Sequence, residues 1–198
     1  MSGRAQLNGT GTTSRILDVA ERLLQVRGYN GFSYGDVATE LGITRAALHY
    51  HFPGKAELGR ALVERYATRF SEALAELDAT APDAASKLRG YVDLYTDVLD
   101  ADRMCLCGML AAEHRTLPGP LQQAVCDFFS ANTSWLRAVL EEGCADGSLH
   151  CPGTTEATAS MVLGTLEGAM LITRLNGDVD RFTATAGQLL AGLLPTDR

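Results

Sequence analysis

Apolar residues recur along nearly the whole chain at helical spacing, and no segment shows the two-residue alternation of a half-buried strand. In the first such segment, Ile16, Val19, Ala20, Leu23 and Leu24 follow the pattern of one helix face. Glycine, proline and short polar runs interrupt this pattern and divide it into about nine helices. The sequence therefore predicts an all-α fold.

Two short helices follow the first one, and each begins at a polar capping residue. Ser33 precedes one of them, and Asp36 stands three residues later, which is the spacing of a capping box. Thr44 precedes the other and comes shortly after Gly42, whose missing side chain permits a sharp turn. Two short helices joined by a tight turn are typical of the helix-turn-helix, which places its second helix in the DNA major groove.

The expected recognition helix spans residues 44–52 and ends there because Phe52 precedes a proline. Arg45 lies at its N-terminal end, where side chains reach base edges, and arginine pairs well with guanine O6 and N7. The histidines and the tyrosine of this helix suit phosphate or sugar contacts. The DNA-facing residues expected on it are Thr44, Arg45, Ala46, Ala47, His49, Tyr50 and His51.

Lys55 begins the next helix, which is expected to be long and to reach about residue 77. A cation at a helix N-terminus opposes the helix dipole. The arrangement becomes favourable when an anion docks there, because the ammonium and the open N–H groups both point at it. A DNA phosphate would be such an anion, and a solvated surface lysine is the alternative.

Residues 13–62 resemble the TetR family of bacterial transcriptional regulators. The motif that carries this resemblance is Val37-Ala38, Leu41-Gly42-Ile43-Thr44, Ala46, Leu48, His51-Phe52, Lys55 and Leu58. It implies a repressor that binds double-stranded DNA at a palindromic operator, with further backbone contacts from Ser33 and Tyr34. The family most often has tyrosine at the position of His49, so the phosphate contact falls either to His49 or to Tyr50.

The resemblance implies a helix-turn-helix domain over residues 1–55 and a helical effector-binding and dimerisation domain over residues 56–198. The Gly/Ser/Thr-rich stretch 1–13 predicts a flexible arm ahead of the first helix. Family members are homodimers held by a bundle of their last helices. Small residues spaced four apart would allow such helices to approach closely, although they equally suit packing within one subunit; they are Ser160, Gly164 and Gly168.

Family members commonly bind a small-molecule effector, mostly apolar or aromatic, between their middle helices. Large apolar and aromatic side chains of this chain could line such a pocket, although an ordinary core needs the same spacing. The pocket residues expected on this basis are Tyr91, Tyr95, Met104, Cys107, Met109, Phe128, Phe129, Trp135, Met161 and Met170.

The five cysteines are odd in number and accompany no secretion signal, which favours reduced thiols over a disulfide framework. Cys105 and Cys107 precede a predicted helix whose dipole can lower a thiol pKa. Their surroundings also resemble a branch of the family that represses electrophile-detoxifying enzymes, so oxidant or electrophile sensing is an alternative to effector binding. With His114 they suggest a metal site, but the spacing does not fit a zinc template, and neither a metal nor a cofactor is expected.

Charge and composition limit the remaining possibilities. The net charge is −7, but the first sixty residues carry seven basic and five acidic side chains, so a mildly basic tip precedes an acidic body. No apolar run could cross a membrane and no signal peptide is evident, which predicts a cytoplasmic protein. No catalytic grouping stands out, so an enzyme is not expected; a helical enzyme or an interaction module without DNA binding is the remote alternative.

Overall fold

The computed structural model of the chain describes residues 3–150 and 153–195. Within these ranges it contains nine α-helices, a short 3-10 turn at His114–Thr116 and no strand, which confirms the predicted all-α fold. In chain order the helices are α1 (Gly3–Arg27), α2 (Tyr34–Leu41), α3 (Arg45–His51), α4 (Lys55–Thr80), α5 (Ala84–Asp100), α6 (Leu106–Ala112), α7 (Gly119–Asp146), α8 (Thr155–Asn176) and α9 (Val179–Leu193).

The helix α1 begins at Gly3, inside the stretch where composition predicts a flexible arm. The difference has a simple physical origin, because extending an existing helix adds one hydrogen bond for each residue fixed, whereas starting one is costly. The helix ends as the sequence predicts. Gly28 has a φ of +80°, and its N–H donates to the carbonyl of Leu24 over 2.8 Å.

The chain forms two compact units, and their division differs from the predicted boundary after residue 55. The first unit comprises Met1–Ala67 together with Leu106–Val125, and the second comprises Thr68–Cys105 together with Cys126–Arg198. The first unit extends along α4 because Arg65 pairs with both Asp18 and Glu21 of α1, at 2.7 and 2.6 Å. It includes α6 because that helix packs against α1.

The core of the first unit joins α1, α2, α3 and the beginning of α4. Its fully buried side chains follow the helical periodicity of each element, with Leu24 from α1, Val37 from α2, Leu48 from α3 and Leu58 from α4. Burying a leucine or valine side chain contributes roughly 1.5–3 kcal/mol. One apolar face on each short helix therefore holds the three-helix arrangement together.

The second unit packs α5, α8 and α9 against one another and includes α7. Tyr91, Tyr95 and Phe182 are among its largest fully buried side chains. Gly143 allows a close approach within it, because a Cβ atom there would lie 2.8 Å from the Cβ of Ala84. Among the described helices, none is long and apolar enough to cross a membrane.

Candidate DNA-binding surface and interior site

The turn between α2 and α3 has the geometry that the sequence predicts. At the start of α2, the N–H of Asp36 donates to the hydroxyl of Ser33 over 3.3 Å, and the N–H of Ser33 donates to the Asp36 carboxylate over 2.7 Å. The hydroxyl of Ser33 also donates to this carboxylate over 2.6 Å, and the hydrogen bonds from the Ser33 hydroxyl and N–H lower the pKa of Asp36. At the end of α2, Gly42 adopts a φ of +65°, which favours glycine. The predicted capping box and the predicted turn glycine are both confirmed.

One face of α3 is buried and the other is open. Thr44 caps the helix by accepting a hydrogen bond from the N–H of Ala47 over 3.1 Å, while buried Leu48 anchors it against the first unit. Ala47 and His51 are half-buried. The exposed side chains of the expected recognition helix are Thr44, Arg45, Ala46, His49 and Tyr50.

Arg45 lies across the beginning of α2. A Cβ atom at Gly35 would come within 2.6 Å of its Nη2 atom, so the missing side chain at Gly35 makes room for the guanidinium. Ser33 is exposed and Tyr34 is half-buried on the same part of α2. The structure therefore groups Ser33, Tyr34 and Arg45 at one end of the helix-turn-helix.

His49 and Tyr50, the two alternatives for a phosphate contact, differ in their surroundings. The Nδ1 atom of His49 lies 3.1 Å from the carbonyl oxygen of Pro53, and since a carbonyl only accepts, Nδ1 carries the proton. The His49 ring also packs on Tyr34, whose hydroxyl donates to the carbonyl of Phe52 over 2.8 Å. The His49 imidazole is therefore held back against the end of α3.

Tyr50 is the most exposed of the large hydrophobic side chains of the described residues, with 86% of its area open to solvent. Its ring lies edge-to-face with that of His51, with ring centres 5.4 Å apart. His51 in turn hydrogen-bonds the hydroxyl of Thr13 through Nδ1 over 3.0 Å. Of the aromatic residues expected to face DNA, Tyr50 projects furthest.

Lys55 turns inward, in contrast to the expected presentation to a phosphate. Its ammonium donates to the carbonyl of Phe32 over 2.5 Å and lies 4.6 Å from the ring centres of both Tyr29 and Phe32. Burial lowers its pKa, and the carboxylate of Glu113 partly opposes that shift. A lysine tied to a carbonyl and two aromatic faces joins α4 to the segment between α1 and α2.

Glu113, at the end of α6, belongs to the same group of contacts. Its carboxylate accepts a hydrogen bond from the N–H of Asn30 over 3.1 Å, and the Asn30 amide donates to Thr116 over 2.8 Å. The sequence carries no local signal for this contact, because the partners are more than eighty positions apart. It fastens α6 to the loop that precedes α2.

The structure brings together five of the aromatic residues expected to line a pocket, all in the second unit, and adds Phe70. Tyr91 stacks on Trp135 with ring centres 5.5 Å apart, and Phe70 lies 5.9 Å from Tyr91 and 5.3 Å from Phe128. Tyr95 and Phe129 adjoin these rings. We call Phe70, Tyr91, Tyr95, Phe128, Phe129 and Trp135 the aromatic cluster.

The remaining expected pocket residues divide between the two units. Met104 and Met170 are buried in the second unit. Met161 is 44% exposed on α8, on the side of the helix opposite its buried residues, so it does not line the interior of a single chain. Cys107 and Met109 belong to the first unit.

Polar groups adjoin the aromatic cluster. The hydroxyl of Tyr91 donates to Oδ1 of Asn132 over 3.1 Å and lies 3.2 Å from the hydroxyl of Tyr95. Glu167 of α8, which the sequence analysis did not select, hydrogen-bonds with Tyr95 and Cys105. Burial raises the pKa of Glu167 and the pKa of both tyrosines.

The cysteines correct the expectation that all thiols are reduced, and they give less support to thiol sensing. Cys144 is disulfide-bonded, so the expected set of reduced thiols is wrong at that position; an odd count excludes complete pairing but not a single bridge. Cys151 lies outside the described residues.

Cys105 and Cys107 are buried thiols, and Cys126 is an exposed one. The Cys105 thiol hydrogen-bonds the carboxyl group of Glu167, so it is both enclosed and engaged. Among the described residues, no group of three or more His, Cys, Asp or Glu side chains could hold a metal ion.

One side of α8 is exposed and apolar. Ser160 is exposed there, and apart from the local backbone of α8 no atom among the described residues lies within 4 Å of where a Cβ would stand at Gly164 or Gly168. Large apolar side chains accompany these small residues. They are Met161, Leu171, Ile172 and Leu175, the last with 78% of its area exposed.

The two parts of the chain match two known domain descriptions. Residues 16–62 match the model of bacterial regulatory proteins of the tetR family, and residues 84–189 match that of the tetracyclin repressor-like C-terminal domain. A solved TetR-family regulator from Agrobacterium tumefaciens is 35% identical, with a TM-score of 0.91, and the match covers 94% of this chain and 100% of that one. A TetR regulator from Legionella pneumophila is 31% identical, with a TM-score of 0.82 and coverage of 90% and 95%.

Among curated proteins, the HTH-type transcriptional regulator TtgR of Pseudomonas putida is similar along most of its length. It is 27% identical over 196 residues, which cover 90% of this chain and 91% of that protein. The similarity therefore extends through both units and is not confined to the helix-turn-helix.

Proposed function

Since the chain belongs to the TetR family and is a DNA-binding transcriptional regulator, we propose that it is a repressor that a small-molecule effector releases from its operator. The relatives named above are themselves regulators rather than enzymes. We place its action in the cytoplasm, where bacterial DNA lies. The observation that carries the proposal is the open face of α3, where Arg45 and the 86% exposed Tyr50 project from a helix anchored by Leu48.

We assign different tasks to the residues of that face. Arg45 would read a base edge, because a guanidinium pairs in two places with guanine. Tyr50 would contact a phosphate, since its ring is open to solvent while His49 is held by Pro53 and Tyr34. Lys55 would act indirectly by fixing the beginning of α4, and the remaining expected contacts of α2 and α3 would position the backbone.

The active form would be a homodimer. The exposed apolar side of α8, with Gly164 and Gly168 in its middle, supports an interface with a second copy, because small residues allow close helix packing. A two-fold dimer presents two recognition helices related by symmetry. The operator would accordingly be palindromic, with half-sites about one helical turn or slightly more apart.

Effector binding would take place within residues 56–198, and DNA binding within residues 1–55. The continuous helix α4 contributes to both compact units, which supports a role in communication between the two functions. An effector can shift the protein between two arrangements only by binding one of them more tightly. A pair of structures with and without effector, showing the same separation of recognition helices, would contradict this mechanism.

The DNA-binding proposal is tested by fluorescence anisotropy with duplexes taken from around the protein's own gene, titrated at several salt concentrations. The expected result is tight and salt-sensitive binding to one palindromic duplex, which the double variant Arg45→Ala/Tyr50→Ala loses. Arg89→Ala, which removes one exposed charge from α5, is the control and should bind as the wild type. Equal affinity of the double variant and the wild type would contradict the proposed surface.

A further inference from the structure

We propose that the effector is a small organic ammonium ion, which binds beside the aromatic cluster with the carboxylate of Glu167 as its counter-ion. Glu167 was not among the residues expected from sequence. The inference deepens the proposed effector site and rests on that proposed function. It follows from three features of the second unit, namely a buried carboxyl oxygen without a donor, nearby hydroxyl groups that do not reach this oxygen, and the aromatic surroundings.

The unmet acceptor is the Oε1 atom of Glu167. This atom is buried, and within the described part of the chain no hydrogen-bond donor reaches it. Buried carboxyl oxygens nearly always have donors, because leaving one without any forfeits the hydration it had in water. An N–H group of a bound ligand is a donor of the required kind.

The neighbouring tyrosine hydroxyls leave the Oε1 atom without a donor. The amide of Asn132 donates to the carbonyl of Phe128 over 2.9 Å, so its Oδ1 atom must be the acceptor that receives the proton of Tyr91. The hydroxyl of Tyr91 can then only accept from Tyr95, 3.2 Å away. Tyr95 has a single proton, which it can give either to Tyr91 or to Glu167, and neither it nor Cys105, the other group that hydrogen-bonds the Glu167 carboxyl, reaches Oε1.

The aromatic surroundings favour a cation over a neutral donor. A cation is attracted to the faces of aromatic rings, and the cluster offers several at short range through Tyr91, Tyr95 and Trp135. Burial raises the pKa of Glu167, and no basic side chain is among the groups that influence it. An ammonium ion would therefore supply both the donor and the positive charge that this carboxylate lacks.

The access to the cluster suits a small ligand, and we take one with a single ring as the probe. Phe70, Phe129 and Trp135 are only half-buried, so the cluster reaches the surface of the second unit along one side. A metal ion is a poorer fit, because among the described residues no three potential ligands converge here. The ligand would place its ammonium at Glu167 and its apolar part along the rings.

The chain contains one tryptophan, and its position makes the test direct. Trp135 stacks on Tyr91, and the hydroxyl of Tyr91 is hydrogen-bonded to that of Tyr95 beside Glu167. The fluorescence of Trp135 should therefore change when a ligand binds in this part of the protein. Benzylammonium would be titrated into the full-length protein, with benzyl alcohol as a neutral analogue of similar size. Isothermal titration calorimetry on the same samples would give the dissociation constants.

The expected result is saturable binding of benzylammonium to the wild type at least tenfold tighter than that of benzyl alcohol. Glu167→Gln, which keeps the shape and removes the charge, should lose at least tenfold in benzylammonium affinity. Glu156→Gln, which removes an exposed charge from the same helix, should bind as the wild type. Equal affinities for the two probes in the wild type, or an unchanged affinity in Glu167→Gln, would overturn the proposal.

Failure of this inference and failure of the proposed function have different signatures. Operator binding measured without any ligand tests the repressor, whereas the Trp135 titration needs no DNA. If benzylammonium binds through Glu167 and no operator is found, the ammonium site stands and the DNA-binding proposal fails. If operator binding is tight and the protein binds benzylammonium and benzyl alcohol with equal affinity, the repressor proposal stands and the ammonium site is rejected.

Discussion

The ammonium of Lys55 donates a hydrogen bond to the main-chain carbonyl of Phe32, and the two atoms lie 2.5 Å apart. The same ammonium faces the rings of Tyr29 and Phe32 at 4.6 Å. This contact joins the first residue of α4 to the segment between α1 and α2. A charge that is used in this way stabilises the first unit and is poorly placed to neutralise a phosphate.

Lys55→Met should therefore lower the free energy of unfolding by about 1–3 kcal/mol, because it leaves the carbonyl of Phe32 without its charged donor. The dependence of operator affinity on salt should hardly change. Urea denaturation and salt-dependent anisotropy measure the two effects, with the exposed Arg60→Met as the control. Unchanged stability with a salt slope reduced by about one would instead mean that Lys55 contacts a phosphate.

Arg45→Ala should relax base preference at one position of each half-site, by about 1–3 kcal/mol, because the guanidinium is the group suited to read guanine. Competition anisotropy with single-base operator variants measures this preference. Arg89→Ala should leave the whole profile unchanged. A uniform loss of affinity for every variant duplex would assign Arg45 to the DNA backbone instead.

Tyr50→Phe should weaken binding to all operator variants alike, by about 0.5–1.5 kcal/mol per half-site, because it removes a single hydroxyl hydrogen bond. His49→Gln should have the smaller effect, since the imidazole already bonds the carbonyl of Pro53. The same anisotropy assay decides between the two residues. A larger loss in His49→Gln would identify the histidine as the phosphate contact.

Leu175→Glu should convert a dimer to a monomer, because it places a charge on the exposed apolar side of α8. Operator affinity should fall by at least about tenfold, since each half-site is then bound separately. Sedimentation velocity gives the oligomeric state. Ser130→Glu adds the same charge to an exposed position of α7 and should remain dimeric; a monomeric wild type would contradict the interface altogether.

N-ethylmaleimide should modify Cys126 first in the folded protein, because Cys105 and Cys107 are buried. Operator binding should survive this modification. Mass spectrometry locates the adduct, and Cys126→Ser should abolish the rapid labelling. If N-ethylmaleimide instead labelled Cys105 and this labelling abolished DNA binding, a thiol sensor would replace the effector-binding model.

The sequence predicts those parts of the site that depend on neighbours close in the chain. The Ser33 capping box, the left-handed Gly42 and the Thr44 cap are all confirmed. They could be predicted because each involves partners only three or four residues apart. The same locality explains the success of the predicted helices. Helical periodicity is repeated within every segment, so each element carries its own signal.

Contacts between distant segments could not be predicted in this way. Lys55 stands at a helix start, which suggests an anion site, but its real partners come from the segment around Phe32. Glu167 gave no signal, because a glutamate on a helix is ordinarily exposed and only the packing around Tyr95 makes this one unusual. Such properties arise from tertiary structure rather than from local pattern.

The hydrogen bonds between Asn30 and the Glu113–Thr116 segment matter for anyone who wishes to build hybrid repressors by exchanging halves between family members. A cut after residue 55 would separate the DNA-reading helices from the distant segment on which α1 and its following loop rest. Grafting residues 106–125 along with the N-terminal helices, or matching the amide and carboxylate at the junction, would preserve that support. The transferable module in this protein is thus discontinuous in sequence, and primary structure alone is a poor guide to where such a chimera should be joined.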